Sequence, residues 1–213
     1  MSDCVIGLCG KDYVLLAADA TASFSIILMK DSEDKILKLD SNKLLAASGE
    51  TGDRVQFTEY IQKNLNLYRF KNDRPLSTHG AAHYLRHELA TALRRNPYQT
   101  NLLLAGFEEE VGPSLYFIDY LSSMQKVPYG AHGYGSYFSL SILDRYFNKE
   151  MDVKDGLKLL KKCIDEIQTR LLLNTPQFIV KIADKNGTRE IALDSVSLDD
   201  DEEQVETGDK MVE

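Results

Sequence analysis

The chain has 213 residues, 43% of them apolar and 27% charged, which suffices for one domain with a full core. No apolar run approaches the roughly 20 residues that span a bilayer, and the body carries no basic stripe of the kind nucleic acid requires, so neither membrane nor nucleic acid is an expected partner. The net charge of −8 sits mostly at the end, where Asp199 to Glu213 hold eight acids and one lysine, so we divide the chain into a domain, 1–198, and an acidic disordered tail, 199–213.

In chain order, Cys4–Gly10 and Tyr13–Ala18 read as two strands joined by a turn at Gly10-Lys11-Asp12. Both are apolar on nearly every residue, so both faces should be buried and the hairpin should lie inside a layered domain. Ser2 and Asp3 stand where a secretory leader would be basic, and Lys11-Asp12 interrupts the apolar stretch, so no leader is expected. Thr21–Asp34 combines a short strand at Ile26-Ile27-Leu28 with a charged loop. Lys35–Leu39 and Leu44–Ala47 form a second strand pair, turning near Asp40-Ser41-Asn42.

Asp53 with Gln56 three residues on fits a capping box. Behind it Phe57, Tyr60, Ile61, Leu65 and Tyr68 follow helical spacing, and Asn72-Asp73-Arg74-Pro75 ends the helix. Ser77 caps a second helix with a stripe of Ala81, Tyr84, Leu85, Leu89, Ala92 and Leu93, closed by Asn96-Pro97. Strands resume at Asn101–Phe107, Leu115–Tyr120 and near Lys126, with a turn over Glu108–Pro113. Gly133-Tyr134-Gly135-Ser136 leads into a third helix with Phe138, Ile142, Leu143, Tyr146 and Phe147 inward. Asp152 caps a fourth, which buries Val153, Leu157, Leu160, Ile164, Ile167 and Leu171 and stops at Asn174-Thr175-Pro176. A last hairpin, Phe178–Ala183 and Arg189–Leu193, turns at Lys185-Asn186-Gly187, where Asn-Gly suits positive φ. Helices thus come in pairs between hairpins, which predicts an α+β fold of antiparallel sheets covered by helix layers and not a doubly wound parallel sheet.

Three cysteines without a CxxC pair read as reduced thiols of an intracellular protein. Cys4 and Cys9 are five apart in one strand, hence on opposite faces and unable to pair with each other. His79, His83 and His87 recur every fourth residue, but opposite the apolar stripe and without a further ligand type nearby, so no metal is expected. Gly133-x-Gly135 lacks the lysine and the strand–loop–helix order of a phosphate loop, and no cofactor is expected.

A buried first hairpin ending in AAD, then a lysine, an SGE(x)GD loop, paired helices and GYGS opening another helix together resemble the N-terminal-nucleophile hydrolases, and among them the proteasome beta subunits, over about Cys4 to Leu193. GETGDRVQFTEYIQKNLNLY, NLLLAGF, PYGAHGYG, SILDRY and VKIADKNG are similar to the type-2 beta subunits, those of the fourth beta-ring position. The resemblance implies a four-layer αββα sandwich of two antiparallel sheets. It implies a place in the 20S core particle, with beta subunits of the same and the opposite ring, alpha-ring subunits and assembly chaperones as partners, in cytoplasm and nucleus. One helix pair, Asp53–Leu93 or Ser136–Leu171, would meet the alpha ring and the other the opposite beta ring.

Active members of that family attack with an N-terminal threonine whose own amine takes the proton, aided by a lysine, an aspartate and an oxyanion glycine. Asp19, Lys35 and Gly49 match the last three. Asp3 stands where the threonine belongs, Tyr134 falls at a serine position and Leu171 at an aspartate position. The expectation from these residues is a non-catalytic structural subunit, inactive by itself within a threonine-type peptidase complex, with Asp19 and Lys35 paired as a buried salt link. The alternative is an active peptidase that uses Ser2 as its nucleophile, one residue, or about 3.4 Å, early along a strand.

Overall fold

The computed structural model describes residues 3–24, 27–171 and 177–193. Ser2, Ile26, Asn174-Thr175-Pro176 and the acidic tail lie outside these. The first hairpin is β1 (Val5–Cys9) and β2 (Tyr13–Asp19), followed by β3 (Ala22–Phe24), β4 (Ile27–Lys30), β5 (Ile36–Lys38) and β6 (Lys43–Gly49). The helix pair α1 (Thr51–Asn72) and α2 (Thr78–Leu93) comes next, then β7 (Thr100–Glu108), β8 (Gly112–Ile118), β9 (Met124–Lys126) and β10 (Tyr129–His132). A second pair, α3 (Ser136–Tyr146) and α4 (Val153–Arg170), precedes the closing hairpin of β11 (Phe178–Asp184) and β12 (Gly187–Glu190).

Two five-stranded antiparallel sheets result, ordered β10-β1-β2-β11-β12 and β5-β6-β7-β8-β9, beside a separate β3-β4 ribbon. The sheets face each other, with α1 and α2 outside one and α3 and α4 outside the other, so the fold is the expected α+β sandwich of four layers. The continuous apolar runs follow from this. Along β1 and β2, Ile6, Leu8, Leu15 and Ala17 pack under α3 and α4, while Val5, Cys9, Val14, Leu16 and Ala18 fill the space between the sheets. Side chains alternate, but between two dry environments instead of one dry and one wet. On the facing sheet, Leu44, Ala46, Leu103 and Ala105 point inward, and Leu45, Ala47, Leu102 and Leu104 meet α1 and α2. Cys4 and Cys9 fall in different layers, as five-residue spacing requires, and all three cysteines are free thiols.

Several local expectations change. α1 begins at Thr51, not behind a box at Asp53: the Glu50 carboxylate accepts the Asp53 N–H at 2.8 Å and caps the helix, while the Asp53 carboxylate accepts the N–H of Gln99 at 2.9 Å. The caps expected at Ser77 and Asp152 are in place, accepting from Gly80 and Asp155. Tyr60 and Tyr146 follow helical spacing yet are about half exposed. Tyr146 lies under the cations of Arg145 and Lys162, at 5.2 and 5.4 Å from its ring, in place of the core. β12 ends at Glu190, and at the last turn Gly187, not Asn186, takes the positive φ. β10 was not anticipated, because PYGAH offers neither an apolar run nor alternation. No described helix is long and apolar enough to cross a membrane.

β10 brings His132 into the interior, 6% exposed, stacked on Phe117 with ring centroids 4.0 Å apart and with Nε2 3.1 Å from the Leu102 carbonyl oxygen. Burial lowers its pKa from 6.5 to about 4. The unfolded chain therefore takes up a proton below pH ~6.5 that the folded chain refuses until about pH 4. The contribution is fully present above pH ~6.5 and is lost as pH falls towards 4, by up to about 3 kcal/mol. Urea unfolding of wild type and His132→Gln across this range should give a stability difference that varies with pH. A constant difference would exclude His132 as the titrating group.

Candidate active-site cluster

The expected site residues converge at the head of β1. Register places Cys4 opposite Asp19: the Cys4 N–H donates to Asp19 Oδ1 at 2.7 Å, and the Asp19 N–H donates to the Cys4 carbonyl at 3.0 Å. The second carboxylate oxygen, Oδ2, accepts from the Thr21 hydroxyl at 2.7 Å and from Lys35 Nζ at 2.9 Å. Lys35 also donates to the Thr21 carbonyl at 2.8 Å and to Asp3 Oδ1 at 2.7 Å, which uses its three donors. The other oxygen of Asp3 accepts the Gly49 N–H at 3.2 Å. Asp19 is wholly buried and Lys35 nearly so, whereas the Asp3 side chain keeps 17% exposure.

The backbone at Gly49 tolerates no other residue without strain. Its φ is +141°, and a Cβ would lie 2.1 Å from the Gln99 carbonyl oxygen. This conformation turns its N–H towards Asp3. Lys35 and that N–H are thus aimed at a common point, an anion-receiving position of the kind that stabilises developing negative charge. The Asp3 carboxylate fills it. The expected Asp19–Lys35 salt link is present, but it is one half of a three-member group, since Lys35 bridges two carboxylates.

The other two expected positions do not join. The glycine loop does reach the cluster, because a Cβ on Gly133 would lie 1.7 Å from the Asp3 carbonyl oxygen, but Tyr134 itself is 55% exposed. Leu171 packs beside α3 and α4, its N–H bonded to the Ile167 carbonyl. The adjacent Cys4 thiol is no substitute nucleophile: burial foremost, then the charge of Asp19, pushes its pKa up to about 12. Sequence reasoning missed Thr21, which contributes a hydroxyl and a carbonyl, and the buried pairing of Arg54 with Glu33. Only their proximity to Asp19 and Lys35 could have signalled them. The three helical histidines are exposed; His79 lies 4.4 Å from the His83 ring, and its Nδ1 is 3.2 Å from the Tyr116 hydroxyl.

Residues 1–183 match the family model described as "Proteasome subunit". The chain belongs to the proteasome subunit family. It is 56% identical to proteasome subunit beta type-2-B of Arabidopsis thaliana, over 88% of this chain and 94% of that protein. It is 55% identical to the type-2-A subunit of the same plant, over 89% and 93%. To the type-2 subunit of Oryza sativa subsp. japonica it is 54% identical, over 89% and 90%. Membership in this family carries with it assembly into a multi-subunit complex.

These relatives correct one expectation. The residues at the site, taken from the sequence alone, point to a non-catalytic structural subunit, inactive by itself. The proteins it matches almost end to end are named as beta type-2 subunits of a proteasome, with no such restriction. The chain groups with the beta type-2 subunits, and these relatives overturn the non-catalytic expectation. Ser2, the alternative nucleophile, lies outside the described residues.

Proposed function

We propose that the chain works as one beta subunit of a 20S proteasome core, in the breakdown of proteins by the assembled particle. Its neighbours would be beta subunits of the same and the opposite ring and subunits of an alpha ring, in cytoplasm and nucleus. The observation that carries this reading is the near end-to-end match to relatives named as proteasome beta type-2 subunits. Lys35 and the Gly49 N–H, held towards one point at the head of β1, are the groups that bear on chemistry in this chain itself.

The test is to tag the C-terminus, isolate the protein gently from its own cells, weigh the assembly by native mass spectrometry and assay peptide hydrolysis with a covalent inhibitor of N-terminal nucleophiles. A large particle with inhibitor-sensitive hydrolysis is expected. A small free species would sink the proposal. Inhibitor mass on this chain would mark a nucleophile of its own; inhibitor mass confined to other chains would mean that it acts through them.

A further inference from the structure

β10 lies at the open edge of its sheet, paired with β1 on one side only. The bonding pattern decides which of its backbone groups are used. The Cys9 N–H donates to the Pro128 carbonyl at 2.8 Å, so the hydrogen-bonded pairs of this ladder alternate from there: Gly7 with Gly130 and Val5 with His132. On the other side of β1, the bond from Asp19 N–H to the Cys4 carbonyl places the intervening residues of β1 in the ladder with β2, which agrees. The N–H and C=O of Tyr129 and Ala131 therefore point away from β1. Among the described residues no strand, loop or side chain takes them.

Backbone groups in such a setting normally have partners, and Ala131 is only 4% exposed. A cleft of about 620 Å3 runs beside them, with Gly130 and Ala131 as its floor. Phe117 and Val127 form one wall, and Tyr137 and Leu140 of α3 form the other. No aspartate, glutamate, lysine or arginine lines it, and His132 is held neutral by burial. Tyr134 and Tyr137 stand at the rim, 55% and 78% exposed. An edge strand with free backbone groups and aromatic walls is the form that accepts an added strand.

We propose that this edge receives an extended, uncharged segment of a neighbouring subunit, which lies beside Tyr129–His132 and pairs with the free groups of Tyr129 and Ala131. The inference rests on the chain's place in a multi-subunit particle. The chain's own acidic tail is a poor occupant, because the cleft offers no cation to its eight acids.

Amide exchange tests this without a substitution. The Tyr129 and Ala131 amides should exchange at least about tenfold more slowly in the particle than in the free chain, while Gly130 and His132, already bonded to β1, change little. A benzoylphenylalanine placed at Tyr137 in the tagged chain should crosslink, within the particle, to one uncharged segment of one other subunit. Ala131→Pro removes the outward N–H and puts ring atoms in the path of the added strand, but leaves the bonds to β1 intact, and should abolish that crosslink. Unchanged exchange, or a crosslink to a charged helix or to the chain's own tail, would overturn the inference. A particle in which position 137 stays silent overturns it while leaving the proposed function in place; absence of any particle overturns both.

Discussion

Lys35→Met should destabilise the chain by roughly 3–5 kcal/mol, a fall in Tm on the order of 10–15 °C for a chain of this size. The size follows from what remains. Asp19 is wholly buried and would keep the Cys4 N–H and the Thr21 hydroxyl but lose the one cation paired with it among the described residues. A buried carboxylate without its counter-charge costs far more than the pair contributes when intact. Asp3 is better placed to adapt, because it keeps the Gly49 N–H and is partly open to solvent. Asp3→Asn should therefore lose only about 1 kcal/mol, in the range of one hydrogen bond. The double variant Lys35→Met, Asp19→Leu should recover much of the loss, since no unpaired buried charge is left. Urea unfolding of the three variants decides the matter. If Lys35→Met stays within about 1 kcal/mol of wild type, the cluster is not a buried ionic link.

Phe57→Ala should lose a similar amount, about 3–5 kcal/mol, for an unrelated reason. The buried face of α1 consists of Arg54, Phe57, Thr58, Ile61 and Leu65, so three apolar side chains hold a 22-residue helix to its sheet. Phe57 is the largest of them, fully buried, with its ring centroid 5.0 Å from that of Tyr98. Truncation removes its transfer free energy and leaves a cavity that α1, tied to Glu33 through Arg54, can close only in part. Phe57→Leu keeps most of the volume and should lose about 1–2 kcal/mol. Equal losses for Ala and Leu would show that ring stacking, and not filled volume, is what Phe57 contributes. Calorimetry on both variants separates the two.

The elements that could be read directly are those whose side chains obey one environment. The first hairpin is apolar on both faces because both faces are dry, and α4 shows its stripe because Leu157, Leu160, Ile164 and Ile167 all point the same way. β10 was hidden because its place depends on β1, 120 residues earlier in the chain, and on nothing within Tyr-Gly-Ala-His itself. Tyr60 and Tyr146 misled because tyrosine suits helical spacing whether its ring lies in the core, under neighbouring cations as at Tyr146, or at the surface with its hydroxyl 3.4 Å from Glu88 as at Tyr60. At the site, Asp19, Lys35 and Gly49 were legible as types at the right spacing. The part played by Asp3 was not. A residue that departs from a pattern reads as a loss, and only the geometry shows its carboxylate spanning Lys35 and Gly49.

The pairing of β2 with β11 joins Asp19 to Phe178 at the centre of a sheet. The strand that leaves the ribosome early must wait for a partner roughly 160 residues behind it, which at about 5–20 residues per second is on the order of ten to thirty seconds. Throughout that interval YVLLAAD is a bare apolar ribbon with one long edge unsatisfied. Its burial can be completed only after β11 has been made, so folding of this sandwich should be late and cooperative.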